Sequence, residues 1–144
     1  MQELSTLSQI TLYVLLALIG LLALIVLGWQ IQVIRGKEMK NVDGSVDSWQ
    51  EQKIFYGIAI ADIFLACPAS IIGIVLVFFD LRWGAYLLTW VSFWFLWANI
   101  MTTATSLRFE KPKINLTWLL VYPCGSLVGL AYFVWTVFNF DAIF

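Results

Sequence analysis

Four long apolar runs, at about 10–34, 54–79, 84–106 and 116–138, follow one another with short polar connections. Each reaches the roughly 20 residues that a helix needs to cross about 30 Å of hydrocarbon. The pattern predicts one domain over residues 1–144, an all-α integral membrane four-helix bundle with antiparallel, up-down topology. The second and third runs are separated only by the tight corner Asp80-Leu81-Arg82-Trp83-Gly84.

Punctuation within the runs refines this picture. The stretch Met1 to Gln9 is polar and carries no Lys or Arg, so it lacks the basic region of a secretory signal, and the first run is expected to stay as a span. Ser48-Trp49-Gln50-Glu51 reads as a capping box ahead of the second span. Pro68 predicts a bend in that span with a carbonyl freed near Phe64, and Pro123 predicts a kink in the fourth. Gly125 and Gly129 form a GxxxG notch for close helix approach.

Composition agrees with a membrane chain. It is 62 % hydrophobic and 12 % charged, where soluble domains carry about 45–50 % apolar and about 25 % charged residues. A net charge of −1 with no basic stripe argues against nucleic acid as a partner. Histidine is absent from the sequence, which removes the commonest metal ligand. Cys67 and Cys124 lack CxxC spacing, and Asn41, Asp43 and Asp47 lack the terminal Glu of a calcium loop, so no metal site is expected. Charge also sets orientation. Arg35, Lys37, Lys40 and Lys53 fall in or beside the first loop and Arg108, Lys111 and Lys113 in the third, whereas the other side holds only Arg82. The positive-inside bias places both basic loops in the cytoplasm and both termini on the non-cytoplasmic side of a prokaryotic or organellar inner membrane.

Candidate chemistry lies in the few polar residues within the spans. One acid, Asp62, interrupts the second run, and Asn99 and Tyr122 interrupt the third and fourth. At about 1.5 Å per residue all three fall some 9–12 Å from the cytoplasmic boundary. Gln30, Thr102 and Thr103 sit nearer that surface. These six predict a polar pocket open to the cytoplasm that could hold a ligand or a proton. A charged carboxylate at mid-membrane costs about 2.5–3.5 kcal/mol, so Asp62 is expected to pair with Asn99 or Tyr122, or to be neutral or hydrated. A stripe of Ala59, Asp62, Ala66, Ala69 and Gly73 turns the acid inward. Ser92, Asn99 and Ser106 repeat every seven residues as an inward seam.

Arg35, Arg108 and Lys111 are placed to hold anionic lipid headgroups. Trp90, Trp94 and Trp97 form an outward stripe, suited to another membrane subunit or to a flat apolar ligand such as a quinone or carotenoid. Trp29, Trp49, Trp83, Trp118 and Trp135 suit the interfacial belts. With no nucleophile–base pair, metal set or phosphate loop, no catalytic residue and no cofactor are assigned, and bound lipid or quinone is the expected ligand class. The function that fits best is a non-catalytic accessory or structural subunit of a larger membrane complex. Its expected partners are membrane lipids and other membrane subunits or a second copy. Two alternatives use Asp62: a small proton-linked transporter, and a membrane enzyme acting on lipid or quinone.

Overall fold

The computed structural model describes residues 4–40, 44–110 and 112–144; Asn41, Asp43 and Lys111, with the side chains of Asp47 and Glu51, lie outside the described residues. The fold is helical apart from one minimal antiparallel pairing, β1 (Met39–Lys40) with β2 (Val46–Asp47), in which Met39 faces Asp47 and Lys40 faces Val46.

Helix α1 spans Thr6–Ile34. It starts on the Ser5 side chain, which accepts from the Ser8 amide at 3.2 Å, and so satisfies one of the unpaired first-turn donors. It stops at Gly36, whose φ of +65° suits glycine. There the Gly36 and Lys37 amides turn back onto the Val33 and Gln32 carbonyls, the Schellman closure of a helix end. Two short turns, Trp49–Gln52 and Lys53–Phe55, lead into α2, Tyr56–Phe79. One residue, Asp80, then makes the whole corner. Its extended backbone reverses the chain and its carboxylate caps α3 (Leu81–Thr105) by accepting from the Arg82 and Trp83 amides at 3.1 and 3.3 Å. A π turn, Ser106–Glu110, continues α3 beyond its last α-helical residue.

The fourth apolar run is two helices. Asn115 caps α4 (Leu116–Val121) by accepting from the Trp118 amide at 2.9 Å. α5 (Cys124–Phe138) begins after Tyr122 and Pro123, and α6 (Phe140–Ile143) closes the described chain. Pro123 has no N–H to continue the α4 ladder, so the kink expected there is a break in the helix. Among the described residues, three helices are long and apolar enough to cross a membrane: Thr6–Ile34, Tyr56–Phe79 and Leu81–Arg108.

α3 packs most extensively, against α5 on one side and α2 on the other, while α1 touches both α2 and α5. Leu12, Leu16 and Ile19 of α1 meet Leu88 and Phe95 of α3 and Tyr132 of α5 in the core. Glycine permits the closest approaches. A Cβ at Gly84 would strike the Val77 backbone, and one at Gly129 would lie 2.5 Å from the Ser92 carbonyl oxygen. Two indoles fasten the helix ends. Trp135 Nε1 donates to the Ser8 carbonyl and Trp118 Nε1 to Ser106 Oγ, each at 3.0 Å. These two tryptophans, expected in the interfacial belts, are therefore buried inside the protein, where each N–H finds a partner.

Gly129→Ala should force α3 and α5 apart and cost about 1–3 kcal/mol as an overpacked contact. Gly28→Ala, where a new Cβ meets nothing within 4 Å, should be near neutral. Thermal denaturation of the two variants in one detergent checks the contrast, and equal midpoints would count against the close α3–α5 contact.

Candidate functional site

The polar layer begins with a change of helix type. Pro68 has no N–H to return to the turn before it. Just ahead of it, residues Asp62–Ala66 form a π turn in which the Cys67 amide reaches back to the Asp62 carbonyl. A π turn takes up one extra residue. The inward stripe therefore slips by one position. Ala59 and Asp62 are buried as expected, but beyond the turn Cys67 and Ser70 are buried where Ala66 and Ala69 were expected, and the stripe continues to Gly73. Ser70 donates back to the Ala66 carbonyl at 2.8 Å.

Asp62 is only 4 % exposed, so it does not stand at the mouth of an open vestibule. Gln30 Nε2 donates to its Oδ2 at 2.6 Å. Gln30 reaches it because it extends the buried α1 stripe of Leu12, Leu16, Ile19 and Ala23 toward Val33. The indole of Trp94 lies close to the same carboxylate. The acid thus takes its hydrogen bond from α1 and has an indole of α3 beside it.

The expected partners of Asp62 are elsewhere. Asn99 Nδ2 donates to the Phe95 carbonyl of its own helix at 3.0 Å, and its amide lies against Gly125. The GxxxG notch admits that amide, so Asn99 serves the α3–α5 contact. Tyr122 stacks on Trp118, with ring centroids 5.4 Å apart. Thr102 Oγ1 donates to the Ala98 and Asn99 carbonyls at 3.0 and 3.2 Å. Thr103 Oγ1 is buried without a hydrogen-bond partner. Of the six polar positions singled out in the sequence, the structure joins Asp62 and Gln30 by a hydrogen bond. Arg35 and Arg108 are exposed at the loop end of the molecule, and Lys111 lies outside the described residues.

The tryptophan stripe divides. Trp90 is 64 % and Trp97 53 % exposed, whereas Trp94 is half-buried and lies 4.6 Å from the Phe95 ring. Position 94 is at the edge of the outward face, beside the buried Val91 and Phe95, and its indole lies close to the Asp62 carboxylate. The outward face is instead Trp83, Tyr86, Trp90, Phe93, Trp97 and Ile100, all 49–65 % exposed. The first three form an edge-to-face ladder, with centroids 6.1 and 6.4 Å apart. Spacing of alternately three and four residues marks this stripe in the sequence. Counting tryptophans alone hid it. Between α3 and α5, Trp90, Tyr86, Phe133 and Phe140 line an apolar groove of about 350 Å³. Among the described residues no cluster of His, Cys, Asp and Glu is suited to a metal. Comparisons with protein families, with characterised proteins and with solved structures find no match to this chain.

Asp62→Leu should cost about 1–3 kcal/mol, because it leaves the half-buried Gln30 donor unpaired and the nearby Trp94 indole without a polar neighbour. Adding Gln30→Leu and Trp94→Phe removes those donors and should recover much of the loss. A triple variant no more stable than Asp62→Leu alone, by denaturant titration in micelles, would contradict the clasp.

Proposed function

We propose that this protein is a non-catalytic accessory subunit of a larger membrane complex and that α3 is its docking helix. The observation that carries this reading is the exposed stripe Trp83, Tyr86, Trp90, Phe93, Trp97 and Ile100. Alternate three- and four-residue spacing is the seam by which two helices pack at a shallow left-handed crossing. Tryptophan and tyrosine concentrate at the two membrane interfaces, and a stripe that carries them through the middle of a span is suited to a protein neighbour. Large rigid rings give such a contact area at small entropic cost. The occupant we assign to the seam is a membrane-spanning helix of a different subunit.

In this reading the chain crosses the membrane four times, antiparallel. α4 and α5 form one broken span, since the 15 residues of α5 reach only about 22 Å at 1.5 Å each. The loops bearing Arg35 and Arg108 face the cytoplasm and both termini face away from it. The membrane is a bacterial or organellar inner membrane, and the exposed arginines contact anionic headgroups. Lipid chains cover the remaining apolar surface, including the groove beside Trp90. The buried polar layer at Asp62 supports this reading in a different way, by holding α1, α2 and α3 in one arrangement.

The wild-type protein should co-purify with larger membrane proteins after gentle extraction. Trp90→Ala combined with Trp97→Ala should release them while leaving thermal stability within about 0.5 kcal/mol, as for other exposed positions. Recovery of wild type solely as a monodisperse homo-oligomer would overturn the reading.

A further inference from the structure

We propose that Asp62 is a proton-binding site with two defined states, an ionised carboxylate and a neutral acid held by the same neighbours. This goes beyond the docking role and stands independently of it. The geometry points to a proton because of what surrounds the carboxylate. Asp62 is 4 % exposed, and among the described residues the Gln30 amide donates to it with the Trp94 indole close by. Both are neutral. Neither α1 nor α2 contains a Lys or Arg; the third helix carries Arg82 at the far end, where its Nη2 donates to the Phe144 carbonyl, and Arg108 in its π-turn extension, exposed at the loop end. The other ionisable side chains on these helices are Tyr13, stacked on Phe78, Tyr56 beside Trp49, Cys67 next to the π turn, and Tyr86 in the outer aromatic ladder. None supplies a positive charge. A carboxylate held this way carries an uncompensated charge that only a cation can cancel.

The neighbours select which cation. A metal ion needs several oxygen lone pairs, but Gln30 and Trp94 present N–H groups to the carboxylate. A proton needs one oxygen and one acceptor. Gln30 can provide that acceptor, because its amide carries a carbonyl as well as an NH₂ group and can turn over in place. In the ionised state Gln30 Nε2 donates to Asp62. In the neutral state the new Asp62 O–H donates to Gln30 Oε1, while the Trp94 indole keeps its orientation. The proton arrives as hydronium from the aqueous phase and leaves one water behind, and its release is the reverse.

Trp94 makes the event measurable. In lipid nanodiscs, tryptophan fluorescence of the wild type should pass through a one-proton transition as pH is varied. That transition should disappear in Asp62→Asn and in Trp94→Phe. Infrared difference spectra should show a carboxyl group being protonated in the wild type and in Trp94→Phe, and lose that band in Asp62→Asn. Replacing sodium by choline should leave the midpoint unmoved. The proposal is overturned by a flat titration in the wild type, by a transition that survives in Asp62→Asn, or by a midpoint that moves with sodium. Should Asp62→Asn fail to fold, Trp94→Phe decides alone: the infrared band must persist while the fluorescence change is lost.

Discussion

A polar group placed in hydrocarbon has no water to turn to, and each one left unsatisfied costs several kcal/mol. Asp62 is where that constraint acts most strongly on this chain. Its carboxylate takes a hydrogen bond from Gln30 of α1, with the Trp94 indole of α3 close by, so one acceptor ties α1 to α2 where both meet α3. Transmembrane helices gain little from burying apolar surface against one another, because lipid is equally apolar. Hydrogen bonds and close backbone contact therefore decide the arrangement. The indole bonds of Trp118 to Ser106 and Trp135 to Ser8 apply the same rule at the two ends.

The tight contacts lie around α3. Gly84 lets it approach the Val77 backbone of α2, and Gly129 lets the α5 backbone meet its Ser92 carbonyl. Such contacts replace hydrophobic driving force with dispersion between closely spaced atoms. They also leave α3 little freedom to rotate. An aromatic ladder on its outer surface is therefore presented at a fixed angle, a condition for a docking seam that must match a partner of defined shape.

Much of this architecture is legible in the sequence, and the reasons for the exceptions are physical. Apolar run lengths place the three long helices to within a few residues, and small residues at Gly84, Gly125 and Gly129 mark the close contacts. The Pro123 interruption is visible, although a kink was expected where the structure has a break. What periodicity at 3.6 residues cannot show is a π turn. One extra residue ahead of Pro68 moves the buried stripe from Ala66 and Ala69 to Cys67 and Ser70. Depth along the axis is readable too, but it sets Gln30 nearer the surface than Asp62, the acid it bonds. Depth does not choose between neighbours at similar level. Asn99 has a nearer acceptor in the Phe95 carbonyl of its own helix, and the reach of an indole brings Trp94 to the acid from an adjacent turn. Composition places Trp118 and Trp135 at the interfaces; it does not show that their N–H groups find protein acceptors at the helix ends.

The inner and outer faces of α3 are connected through Trp94. Phe93 precedes it and Trp97 follows within one turn, both exposed, so the helix segment that carries the exposed aromatic stripe also carries an indole close to the buried acid. A close-packed interior does not deform smoothly; it changes between discrete arrangements. Gaining a proton at Asp62 alters the hydrogen-bond demand on Gln30 and Trp94 without altering the glycine contacts on either side of α3. The change is thus confined to side chains whose backbones are already locked, namely an amide that can turn over and an indole that cannot. Such an arrangement can hold two protonation states within one fold, because neither state requires a helix to move.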